Sequence, residues 1–150
     1  MTAPLTQESR RALSRAKFFL AKAKMCSASE RVDFEAYLEA AIVFARAAVH
    51  RTQSRYQHHS DWKAWWDSIL SNEAVQFFRT ERDWILKEAS PRIGQILFAG
   101  TAGAPASRYE PTLAEEFYYF EDPRTSATIT VEKHLVELEQ LLIDAERRFS

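Results

Sequence analysis

A chain of 150 residues and 17.4 kDa has the size of one globular domain. With 46% apolar and 27% charged residues it is no disordered or low-complexity chain. The net charge of −1 conceals a gradient: residues 1–55 hold 10 Lys and Arg against 5 Asp and Glu, residues 93–150 hold 5 against 10, and the whole lacks the strong basicity of a dedicated nucleic-acid binder.

No apolar run reaches the ~18 residues of a membrane span, because Arg46 interrupts the best candidate, Ala40 to Val49. The first ten residues offer no apolar h-region, so no secretory signal is expected. Cys26 stands alone and can form neither an internal disulfide nor a Cys-rich metal site, which makes a reducing cytoplasm the expected compartment.

From Leu5 to Ser90 the chain contains neither glycine nor proline, the costliest helix residues. Thr6 is a plausible N-cap for a first helix running to about Cys26, with Leu13, Ala16, Leu20 and Ala23 inward. Ser27 to Glu30 has the form of a capping box. It opens a second helix whose Phe34, Leu38, Ala41, Ile42, Ala45 and Val49 recur at three and four residues. Tyr37, Phe44 and Ala48 widen that stripe, as in a central helix of a bundle. Gln57 to Asp61 is a polar connector, after which Ser60 can cap a short third helix with Trp62, Trp65, Trp66 and Ile69 as its core face. A fourth helix is expected from about Glu73 to Glu88, ended by Ser90-Pro91. All three glycines and four of the five prolines then fall between 91 and 123. From there on Ile93 to Phe98 reads as extended and Gly100 to Gly103 as loop, with β-rich runs at Glu116–Glu121 and Thr128–Val131. Thr130 is the expected cap of a last helix striped by Val131, Leu135, Leu138, Leu142 and Ala145. The predicted fold is mainly α: one domain over residues 1–150, an antiparallel bundle of about five helices, with an irregular or short β-hairpin insertion at about 92–130.

Few residues suggest chemistry. His58 and His59 near Asp61 lack His-x-x-x-His geometry, so no metal site is expected, and no cofactor motif occurs. Gly100 to Gly103 lacks the Lys-Ser/Thr of a phosphate loop, and Ser107 has no G-x-S-x-G frame. The fourth helix is more informative. Val75, Phe78, Arg82, Ile85 and Ala89 share one stripe, which puts Arg82 on an apolar face where a guanidinium needs a carboxylate, a carbonyl cluster, an anion or a subunit boundary. Arg79, Asp83 and Lys87 follow at i, i+4 and i+8, the spacing of a solvated ladder.

This arrangement resembles the HEPN superfamily, small helical bundles that are commonly dimeric and include metal-independent ribonucleases. Arg82-Asp83 resembles the first half of the family's signature, an Arg, a polar residue and a His four to six positions after the Arg. The Ala-rich run Phe34 to Arg46 resembles the family's early helix. Lys87 and Glu88 stand where that His is expected, and the next histidine is His134. The resemblance therefore implies a non-catalytic interaction or assembly module, a homodimer or a subunit of a larger assembly, of a bacterial-type cytoplasmic protein tied to defence or toxin–antitoxin systems. The alternative is an atypical ribonuclease acting at a dimer cleft, with Arg82, Asp83 and Glu88 as its catalytic set and Arg79, Arg82 and Lys87 on the RNA.

Overall fold

The computed structural model describes residues 7–88, 93–95 and 117–150, and of Glu88 the backbone only. Thr6, Ala89, the Ser90-Pro91 stop, Ile96–Phe98, the Gly100–Gly103 loop and Ser107 lie outside the described residues. The elements run α1 (Gln7–Lys24), α2 (Arg31–Tyr56), α3 (Trp62–Ile69), α4 (Glu73–Glu88), β1 (Ile93–Gln95), β2 (Phe117–Tyr119), β3 (Asp122–Ser126) and α5 (Ala127–Phe149). The mainly helical class with a small β insertion is thus what the chain adopts.

Helices α1 and α2 form an antiparallel hairpin through a tight turn in which Ser27 donates from both its backbone N–H (3.0 Å) and its hydroxyl (2.8 Å) to Glu30. At the far end the buried Ser9 and Thr52 hydroxyls meet at 2.8 Å, and Thr52 also donates to the Ala48 carbonyl. This register brings Ala12 and Ala16 toward Ala48 and Ala45, all fully buried, so small side chains let the two backbones approach closely. Helix α4 starts at Asn72, whose Oδ1 accepts from the N–H groups of Ala74 (2.9 Å) and Val75 (3.3 Å) while its amide donates to Glu137 of α5.

The three strands form an antiparallel sheet in the order β1-β2-β3. Gly94 lies opposite Tyr118, where a Cβ would come within 2.6 Å of the ring, so any larger residue here would displace the Tyr118 ring tip. Arg31 donates to the Ile93 carbonyl and Gln95 to that of Ala28, both at 2.7 Å, and these bonds tie β1 to the start of α2. Phe34 stacks on Phe117 with centroids 4.1 Å apart, joining the sheet to the core. Because α4 leads toward β1 and β1 sits at the start of α2, helices α2 and α4 run antiparallel.

Three sequence expectations shift. Thr128–Val131 belongs to α5, which begins at Ala127 after Ser126 instead of at Thr130; Ala127, Thr128 and Val131 are buried there, and tertiary packing overrides their β propensity. The strand pairing with β2 is instead Asp122–Ser126. Of the tryptophans, Trp62 and Trp65 are buried against Phe149, whereas Trp66 is half-buried and stacks on Trp62.

Candidate functional site on the α2–α4 face

The inward line of α4 is Ala74, Phe78, Glu81 and Ile85, at steps of four, three and four. Glu81, 2% exposed, is therefore the interior charge of α4. Arg82 is corrected to the margin of that face, its side chain 37% exposed and its Nη1 3.5 Å from Asp83 Oδ1. Arg79 and Arg82 lie near enough to Arg46 of α2 for their charges to act on it. The Arg79–Asp83–Lys87 ladder does not form: among the described residues Asp83 pairs with its neighbour Arg82. Lys87 is exposed, and five residues after Arg82 it points about 140° further round the helix. The Glu88 side chain lies outside the described residues.

What sequence reading missed is Arg46. It sits on α2 where α4 approaches, is 9% exposed, and its Nη1 has no hydrogen-bond partner among the described residues. Burial lowers its affinity for the proton, the charges of Arg79 and Arg82 lower it further, and Asp83 works in the opposite direction. One turn along α2 stands His50. Desolvation, then the charges of Arg46 and Arg82, hold its imidazole below the usual range, while a hydrogen bond with Gln53 opposes them. The face thus gathers Arg46, Arg79, Arg82 and His50, with Asp83 acting on Arg46 in the opposite direction. The signal was present in the sequence as the single charge inside an apolar run of ten residues, Ala40 to Val49.

The same face leaves apolar groups uncovered. On α2 Val32 is 81% exposed and Val43 is exposed too, and on α4 Leu86 is 62% exposed. Val32, Glu39, Val43, Arg46 and His50 fall on one stripe of α2 at steps of seven, four, three and four.

Elsewhere, His58 and His59 lie in the exposed connector, where His59 Nδ1 accepts from the Asp61 N–H and its ring abuts Phe149. No group of three or more His, Cys, Asp and Glu residues suits a metal ion among the described residues. No helix among them is long and apolar enough to cross a membrane. No protein-family model, curated protein or solved structure matches the chain.

Proposed function

We propose that this chain is a non-catalytic, HEPN-like interaction module that works by association through the α2–α4 face. The observation that carries the reading is the buried Arg46 guanidinium with an unpaired Nη1. An uncompensated buried charge is costly; Nη1 itself is closed off within the chain, so a partner compensates the positive charge through the exposed rim of the face, Arg79 and His50. Val32, Val43 and Leu86 supply the apolar surface that such a partner would cover. Light scattering after size exclusion tests the reading. The wild-type chain elutes above its monomer mass of 17.4 kDa, and Leu86→Glu, which places a charge on the exposed surface without touching the core, returns it to the monomer.

One observation favours a second reading. His50 of α2 lies near enough to Arg82 of α4 to feel its charge, so an imidazole is present although the fourth helix lacks one. In an RNA-cleaving version of the site His50 accepts the 2′-hydroxyl proton and Arg82 stabilises charge at the phosphate. Cleavage of single-stranded RNA in EDTA that His50→Ala abolishes would promote this reading over the first.

A further inference from the structure

Helix α1 carries six cations, Arg10, Arg11, Arg15, Lys17, Lys22 and Lys24, against a single acid, Glu8. Its inward side is sealed into the bundle, with Ala12, Leu13, Ala16, Leu20 and Ala23 buried. The outward side is not purely polar. Phe18 is 55% exposed, and Met25, in the turn that closes the helix, is 70% exposed. The exposed Ala21 stands between them, so the three share one line at steps of three and four. At about 100° per residue, Arg11, Arg15 and Lys22 fall on one side of this line, and Arg10, Lys17 and Lys24 on the other. Lys22 Nζ lies 5.5 Å from the centroid of the Phe18 ring. Arg11, Arg15 and Lys22 form no ion pair among the described residues. The opposite flank borders α5, where Lys17 pairs with Glu139 at 2.7 Å and Lys24 pairs with Glu132. Both of these α5 acids are thereby neutralised. Between the two pairs Ala21 and Val136, the latter 58% exposed, line a largely apolar groove of about 210 Å³.

We propose that this outer face of α1 lies on an anionic lipid surface, with Phe18 and Met25 entering the acyl boundary and the flanking cations at the phosphate headgroups. The inference stands apart from the α2–α4 face and uses none of its residues. A helix that cannot cross a bilayer can lie in its interface when apolar and cationic side chains share its outer side. Two inserted side chains bind only marginally by themselves. Each cation held near an anionic surface raises the affinity by roughly fivefold, so the two contributions together make a stable contact. The shape of the face selects among anionic partners. Because the rest of α1 is embedded in the bundle, no protein groove can close around the helix, and only a convex arc is offered. A bilayer accommodates a convex apolar ridge between two rows of cations. RNA would engage the cations through its phosphates and leave Ala21 and Met25 uncovered.

Vesicle flotation tests the proposal, comparing pure phosphatidylcholine with a mixture of three parts phosphatidylcholine and one part phosphatidylserine. The wild-type chain floats with the anionic vesicles and not with the neutral ones, and added salt weakens the binding. Phe18→Ser combined with Met25→Ser lowers partitioning by about tenfold. Arg11→Glu combined with Lys22→Glu lowers it by roughly a hundredfold or more. All four positions are exposed, and circular dichroism confirms that both double variants are folded. Equal binding to neutral vesicles, binding that survives both double variants, or no binding to the anionic vesicles overturns the proposal. A single-stranded oligouridylate or a polyglutamate that binds through Arg11 and Lys22, while the vesicles float free of protein, assigns the face to a soluble polyanion and also overturns it.

Discussion

Tyr56 and Glu146 show how single residues set the pH limits of the fold. The Tyr56 hydroxyl donates a short hydrogen bond to the buried Glu146 carboxylate. Burial first, and then this bond and the adjacent charge, push the phenol up to about 12. The folded state therefore keeps a proton that the unfolded chain releases near pH 10. Stability from this source is complete below about pH 10 and is lost as the pH rises through about 12, by about 2–3 kcal/mol. Urea unfolding across that interval should show the decline, and Tyr56→Phe should flatten it. His134 acts at the other end. Its ring stacks on Phe77 with centroids 4.3 Å apart, and its Nδ1 is buried with no hydrogen-bond partner among the described residues. Desolvation and then Lys133 hold its pKa below the ordinary value, against Glu137 and Glu73. The folded state thus resists protonation, so stability falls as the pH drops below about 6.5. In His134→Gln the unfolding midpoint should lose less between pH 7.5 and pH 5 than in the wild type; an equal loss would assign the acid sensitivity to other groups.

The helices were legible because their apolar residues repeat at three and four positions and the first 90 residues contain almost no glycine or proline. Single-residue phase was not. Glu81 and Arg82 both flank the Phe78 line at helical spacing, and only the simultaneous packing of α4 on α2 and α5 decides that the carboxylate goes in and the guanidinium to the rim. Thr128 to Val131 misled for a related reason: β-branched residues pack as well on a buried helix face as on a strand when their neighbours are already placed. The tryptophan helix separates by the same logic. Trp65 is buried, and its Nε1–H donates to Asp144 at 3.2 Å, so Trp65→Ala should cost about 3–5 kcal/mol in chemical denaturation. Trp66→Ala, at a half-buried position, should cost clearly less. Equal losses would mean that α3 is rotated relative to α5.

At the scale of the molecule, α2 links the sheet at one end with the aromatic cluster of α3 and α5 at the other, and its remaining side holds the candidate site. That site was only partly readable in the sequence. Arg82, Arg79 and Asp83 could be picked out from one helix, but the residue that completes the cluster, Arg46, comes from another helix 36 positions earlier, and its significance lies in a buried atom without an acceptor among the described residues. Nothing short of the packed arrangement of α2 on α4 shows this. The central claim is that the exposed apolar and unpaired charged groups of this face are there to be covered by a second subunit. Sedimentation equilibrium of the full chain from low to high micromolar concentration tests it most directly. The account predicts a reversible dimer of twice the monomer mass. A mass that stays at the monomer's 17.4 kDa throughout that range would contradict it.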